Sequence, residues 1–460
     1  MSFYTHDQLG CTHSDIAQAW CEYQSKFPYV SSYYRSAEQY KNQISIVNGK
    51  KVGTDINLYK LFVEQCFNLL RSTGECGIVI PSGIYTDLGT KQLREMLFQQ
   101  TEITGLFCFE NRKEIFEGVH RSFKFIVLTF QKNNQTRFFP AAFMRLEVKE
   151  LTNFPNEDSL NIDLDLVRKL SPDSLSIMEF KNETDIEVVE KMFKFPLLGE
   201  KIEDRWNLKL TAEFHMTNNS HLFKTESAKG RLPLYEGKMI HQFDHRFAEP
   251  RYWVNEKEGR ESLLGKKRVD QGQKLDYEAY RLGFRDIARN TDIRTMISTV
   301  IHPKLFSGNT LIVSTSFENN QELLALSAML NSFIFDFVIR QKVTAHCNMF
   351  YVYSTPVPRL KKGDQWFDAI VQRAARLICT TPEFDDLAQE IGLESHKNGV
   401  TNEVQRGQLR AELDGIIAHL YGLTESEFAY ILTTFPIVAD PVKQNALNAY
   451  RDVRTGLIKP

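Results

Sequence analysis

The run Cys76-Gly77-Ile78-Val79-Ile80 is apolar throughout and stops abruptly at Pro81-Ser82-Gly83. A segment of that kind has no polar side to turn to water, so it predicts a strand buried on both faces of a parallel sheet. In front of it, Asp55 can cap a helix whose apolar positions Leu58, Leu61, Phe62, Cys66, Leu69 and Leu70 fall on one face of a 3.6-residue period, until Ser72-Thr73-Gly74 ends it. Behind it comes a second helix, with Leu93, Met96 and Leu97 turned inward, and then two further strands over 102–109 and 122–130. The order helix, strand, helix, strand, strand suits the second half of a doubly wound α/β sheet that finishes in a hairpin. The first βαβ units of such a sheet have no counterpart in the roughly 50 residues before Asp55. There, Tyr29, Tyr33, Tyr34 and Tyr40 stand among Ser, Gln and Lys, which reads either as a polar helix or loop passing over a partner surface or as an unrelated helical extension.

At 460 residues the chain is too long for one core and predicts two or three domains. Charge divides it. Residues 141–200 hold 7 basic and 13 acidic residues, an acidic spacer with one short helix over 185–193; residues 201–300 hold 19 basic and 15 acidic, and the change of sign marks a boundary near Pro196. The layout expected is 1–140 as a partial sheet domain, 141–196 as spacer, 197–360 as a mixed α+β domain and 361–460 as a helical end piece, with helices over 409–421 and 425–433. The whole-chain balance of 56 Lys+Arg against 58 Asp+Glu excludes a surface basic everywhere, so any polyanion face must be local. Seven cysteines without a Cys-x-x-Cys pair suggest neither a disulfide framework nor a zinc ribbon and fit a reducing cytoplasm. The opening residues lack a signal-peptide pattern, and Ser327, Asn331, Ser332 and Asp336 interrupt the apolar run 323–339, which reads as a buried helix rather than a membrane span.

No Gly-x-Gly, Walker A loop, Gly-x-Ser-x-Gly elbow or His-Glu-x-x-His helix occurs. Pro172-Asp173 followed by Glu179-Phe180-Lys181 has the order of a Mg²⁺-dependent nuclease, which would need Asp173 and Glu179 on neighbouring strands. No metal site is otherwise expected. The basic region is more informative. Residues 232–253 interleave Tyr235, Phe243, Phe247, Tyr252 and Trp253 with Lys238, His241, His245, Arg246 and Arg251, and residues 280–296 add Arg281, Arg285, Arg289 and Arg294. Guanidinium forks suit phosphates and guanine edges, and aromatic rings suit bases. The same residues also fit a domain with an aromatic core and a solvated charged surface.

Five segments in order, 55–95, 109–130, 234–247, 288–303 and 409–436, give the chain its resemblance to the C-terminal part of γ-class adenine-N6 DNA methyltransferases of the type IIG restriction-modification and phage-defence kind. The resemblance covers most of the chain and implies the C-terminal half of a Rossmann-like methyltransferase sheet, a target-recognition domain over about 200–360 and a helical C-terminal region. It also implies what stands in front. In that family the S-adenosyl-L-methionine loop and the catalytic (Asn/Asp)-Pro-Pro-(Tyr/Phe/Trp) tetrapeptide precede the helix that begins here near Asp55, and neither motif is in this sequence. The chain is therefore expected to lack catalytic residues of its own and to work with an N-terminal methyltransferase half that binds S-adenosyl-L-methionine. Phe116, in Glu114-Ile115-Phe116-Glu117-Gly118-Val119, matches the family's ring that stacks on the flipped target base, unless it packs beneath the hairpin. Lys238, His241, Arg246, Arg285, Arg289 and Arg294 are the positions expected to bind double-stranded DNA. The alternative function is a stand-alone, sequence-specific DNA-binding protein without catalysis.

Overall fold

The computed structural model describes residues 14–47, 49–52, 56–265, 269–343 and 346–460. It divides into two compact units, 1–183 and 184–460.

The first unit is built on a five-stranded sheet. After helix α1 (Ser14–Ser36) and a short hairpin of β1 (Ser45–Val47) and β2 (Lys50–Val52) come α2 (Leu58–Leu69), β3 (Glu75–Pro81), the single turn α3 (Gly83–Thr86) and α4 (Lys91–Gln100). Then follow β4 (Thr101–Glu110), β5 (Lys124–Lys132), β6 (Phe138–Arg145), β7 (Leu160–Asp163) and α5 (Leu164–Leu170). The strand order is β3-β5-β4-β6-β7. β5 runs antiparallel to both β3 and β4, so the last two strands expected from the sequence do form a hairpin, but its second strand inserts between β3 and β4. β4 and β6 are parallel, and β6 and β7 antiparallel. Leu93, Met96 and Leu97 of α4 are buried, as their spacing requires.

Two expectations for this unit need correction. β3 is not buried on both faces of a parallel sheet. It stands at the end of the sheet, no described strand pairs with its outer edge, and of its side chains only Ile80 is fully buried while Val79 is 54% exposed. Nor does α2 bury its apolar stripe. Leu58, Phe62 and Leu69 are each more than half exposed, whereas Lys60, Leu61, Val63 and Glu64 are buried. Glu64 is the reason: its carboxylate accepts from the Asn42 backbone N–H (3.0 Å), Asn42 Nδ2 (2.7 Å) and Gln43 Nε2 (2.7 Å). A charge anchored by three donors fixes which face of a helix turns inward, whatever the apolar pattern asks. Asp55 lies outside the described residues. The helix takes its cap from Asn57, whose Oδ1 accepts from the Tyr59 N–H.

The stretch expected as an acidic spacer is structured. The end of β6, β7 and α5 belong to the first unit, because Leu160, Ile162, Leu164 and Val167 supply core side chains between the acidic residues. The short helix is present as α6 (Glu183–Met192).

The second unit contains two four-stranded sheets. β13 (Ser298–Ile301), β12 (Arg281–Arg285), β15 (Leu311–Ser314) and β8 (Leu210–Thr211) form one, in that order; β14 (Phe306–Ser307), β10 (Arg231–Tyr235), β11 (Tyr252–Asn255) and β9 (Phe223–Lys224) form the other. Phe214, Leu234, Val254, Tyr277 and Phe306 make one buried cluster, and Tyr235, Met239, Ile240, Ile301, Leu305, Leu311 and Val313 another. Helix α7 (Glu256–Leu264) follows β11. The apolar run 323–339 is two helices, α8 (Asn320–Leu330) and α9 (Phe333–Lys342), bent by 66° where Asn331 closes the first and the Ser332 hydroxyl caps the second. Both are buried within the unit, and no single described helix is long and apolar enough to cross a membrane. The C-terminal helices α10 (Met349–Tyr353), α11 (Phe367–Ile378), α12 (Asp385–Glu390), α13 (Glu403–Leu420), α14 (Glu425–Thr433) and α15 (Asp440–Thr455) belong to the same unit as the two sheets.

Candidate DNA-facing sites

In the first unit, Phe116 sits in the 111–123 connection between β4 and β5. The buried side chain of Asn111 organises this loop: its Oδ1 accepts from the Phe116 N–H (2.9 Å), and its Nδ2 donates to the carbonyls of Phe116 (3.0 Å) and Val119 (2.9 Å). Glu114 and Gly118 take positive φ, which lets the chain turn tightly enough to project the ring. The Phe116 ring is 46% exposed and meets Phe125 edge-on at 4.8 Å; Phe125 in turn stacks on Phe109 at 5.2 Å. The ring thus leans against an aromatic column while nearly half of the residue stays accessible, so it is not packed away beneath the hairpin. Val119 and Phe123 are also exposed on this loop. The cations beside them are paired locally, Arg112 with Glu110 (2.9 Å), Arg121 with Glu114 (3.0 Å) and Lys113 with Glu147.

The turn after β3 is locked to the same loop, since the Ser82 N–H donates to the Lys124 carbonyl at 3.1 Å. Beneath it, the Tyr85 hydroxyl donates to Glu179 Oε1 (2.8 Å) and lies 3.1 Å from Cys108 Sγ, while Lys124 Nζ reaches Glu179 Oε2 at 2.5 Å. Burial first, then the nearby carboxylate of Glu179, pushes the Cys108 thiol up to about 11, so it stays protonated. Buried Arg94 clamps the turn from behind by donating to the carbonyls of Ile84 (2.7 Å), Asp87 (2.6 Å) and Ser174 (2.6 Å), and its burial lowers it to about 9.

No (Asn/Asp)-Pro-Pro-(Tyr/Phe/Trp) tetrapeptide occurs in the sequence. The glycine that follows β3, Gly83, is hemmed in by its own neighbours: a Cβ there would stand 2.5 Å from the Asp87 carboxylate and 2.8 Å from the Tyr59 hydroxyl. The nuclease arrangement is also absent. Asp173 and Glu179 lie on no strand, Glu179 is engaged by Tyr85 and Lys124, and no group of three metal-ligating side chains occurs among the described residues.

In the second unit the six basic residues singled out from the sequence take different roles. Lys238, Arg246 and Arg289 are exposed. Lys238 lies 3.5 Å from Glu236, and Arg246 lies 3.7 Å from Glu249. His241 is half-buried, and burial, then the guanidinium of Arg285, holds its imidazole below the usual value. Arg285 spends Nε and Nη2 on the Ile240 carbonyl, at 3.0 and 2.5 Å. Arg294 turns inward: its Nε donates to buried Asp336 at 2.6 Å, its Nη2 to the Asn331 carbonyl at 2.6 Å, and its guanidinium covers the Phe333 ring. A side chain so committed is not a free phosphate ligand. Arg281 is likewise fully buried against Glu213. Sequence spacing could not separate these two from the exposed arginines, because the carboxylates that capture them come from 68 residues before and 42 residues after.

Residues 28–116 match the family model of the Eco57I restriction-modification methylase. No curated protein matches the sequence. Among solved structures, the chain is similar to the type IIL restriction-modification enzyme MmeI in complex with DNA, at 11% identity and a TM-score of 0.45, over 83% of this chain and 52% of that one. It is also similar to the type IIG restriction endonuclease BpuSI (12% identity, TM-score 0.30, 82% of this chain and 51% of that one). A third is a nuclease-deletion mutant of the type ISP restriction-modification enzyme LlaGI with a DNA substrate mimic (10%, 0.39, 70% and 37%). The chain thus spans about half the length of the first two and less of the third.

Proposed function

We propose that these residues form the base-holding and DNA-reading side of a site-specific adenine-N6 DNA methyltransferase of a restriction-modification or phage-defence system, completed by an N-terminal methyltransferase half that lies outside them. The observation that carries this reading is the unfinished edge of the first unit. Among the described residues no strand pairs with the outer edge of β3, where Val79 is exposed, and α2 leaves Leu58, Phe62 and Leu69 more than half exposed. Covering each such side chain contributes roughly 1.5–3 kcal/mol, and an unpaired edge is a template for another strand. The match of residues 28–116 to a restriction-modification methylase family supplies the chemical context.

In this reading Phe116 stacks on an adenine swung out of the duplex, its ring held in place by Asn111 and Phe125. Lys238, Arg246 and Arg289 neutralise phosphates, and the backbone-anchored Arg285 shapes the reading surface. S-adenosyl-L-methionine, bound by the other half, supplies the methyl group. The test is methyl transfer to duplex DNA. The chain alone should transfer none, and co-expression with a half carrying the cofactor loop and the Pro-Pro tetrapeptide should yield N6-methyladenine. Sequence-selective DNA binding with no methyl transfer in any such pairing would favour the stand-alone DNA-binding protein.

A further inference from the structure

The second unit carries an exposed aromatic ring in a setting that a solvated surface does not explain. Phe247 is 57% exposed at the end of the 240–248 loop. This loop is closed by His241 and Asp244, whose N–H groups donate to each other's carbonyls at 2.7 and 3.1 Å. It is hung on the core where the Phe247 N–H donates to the Met239 carbonyl (3.0 Å) and the Phe243 N–H to the Ser298 carbonyl (3.2 Å). Phe243, buried and with φ of 57°, plugs the loop from beneath. The Phe247 ring lies against the His241 imidazole with centroids 4.9 Å apart, and the Arg285 guanidinium sits 5.7 Å from its centre. Arg285 is held there by donating Nε and Nη2 to the Ile240 carbonyl at 3.0 and 2.5 Å. Arg246 precedes Phe247 in sequence and is exposed. An exposed apolar ring flanked by Arg285 and Arg246 is complementary to a polyanion that also offers an apolar group.

We propose that Phe247 is a specificity-determining residue that packs against the 5-methyl group of a thymine in the major groove of duplex DNA while the exposed Arg246 beside it faces the phosphates. This inference rests on the DNA-reading role proposed above. The thymine methyl is the one apolar group the major groove displays, and an apolar side chain reads it by burial, without hydrogen bonds. The backbone bonds hold the loop in place and the His241 and Arg285 contacts restrain the ring, which reduces the side-chain entropy lost when it docks.

The experiment selects bound duplexes from a random-sequence pool with the full chain, then replaces thymine by uracil at each position of the selected site, deleting only the methyl group. The wild-type chain should lose about fourfold in affinity at one position, the value expected for burying one methyl group. Phe247→Ala should bind the thymine and uracil duplexes equally well, and Phe247→Leu should retain most of the methyl preference. Arg289→Ala should weaken both duplexes alike and flatten the salt dependence. Equal binding of thymine and uracil duplexes by the wild type at every position, or an unchanged methyl preference in Phe247→Ala, would overturn this inference while leaving the DNA-reading role standing. Failure of the wild type to bind any duplex would overturn that role and this inference with it.

Discussion

Phe116→Ala should lower kcat/KM for methyl transfer by the completed enzyme roughly 5- to 150-fold, because stacking of one base on an aromatic side chain is worth about 1–3 kcal/mol. The fold should survive. The ring is nearly half exposed, and the loop around it is fixed through backbone atoms by Asn111, whose bonds the substitution leaves intact. Phe116→Trp should retain most of the activity, since the indole offers a comparable face. Steady-state methylation of a duplex carrying the target site, with thermal melting of each variant as control, checks the expectation. Transfer by Phe116→Ala at the wild-type rate would mean that the ring on the Phe125–Phe109 column does not hold the base.

The largest loss of stability should follow from Asp336→Ala. This carboxylate is fully buried and accepts from Arg294 Nε (2.6 Å) and the Thr295 (3.1 Å) and Met296 (3.4 Å) N–H groups, with Arg340 Nε 3.7 Å away. Its removal leaves two guanidinium groups in the interior without their counter-charge and two backbone donors short of an acceptor. Breaking one side of a buried pair in this way typically costs about 3–5 kcal/mol. Urea unfolding of the full chain should show a destabilisation of that order, and Asp336→Asn, which keeps an acceptor oxygen but not the charge, should recover part of it. A change below about 1 kcal/mol would show that water reaches the cluster and solvates the arginines.

The same residues show where sequence reading succeeds and where it stops. Helix α14 begins and ends where the pattern places it, because Thr424 and Glu427 form a capping box and Phe428, Ile431 and Leu432 are buried. In α13, Leu409, Leu413, Ile416 and Ile417 are buried as their spacing requires. These signals are local. The inward turn of Arg281 and Arg294 depends on Glu213 and Asp336, which no window around the arginines contains. The orientation of α2 was hidden for the same reason: Asn42 and Gln43, some 20 residues earlier, hold Glu64 inside and turn the apolar stripe out. At β3, composition correctly signals a strand, but the burial on both faces of a parallel sheet that its apolar run predicts is not found: β3 pairs antiparallel with β5 at the end of the sheet, and Val79 is exposed. The Phe247 surface was visible only as aromatics interleaved with basic residues; the closed loop that carries the ring comes from backbone bonds, which leave no trace in composition.

Amide hydrogen exchange over Glu75–Pro81 reports most directly on whether another polypeptide completes the first unit at β3. Compared with the chain alone, a mixture with the N-terminal half that transfers methyl groups should exchange roughly tenfold or more slowly at the amides of β3 that do not bond to β5, as a new ladder closes over them. Unchanged exchange across all of β3 in a mixture that methylates adenine would contradict the claim.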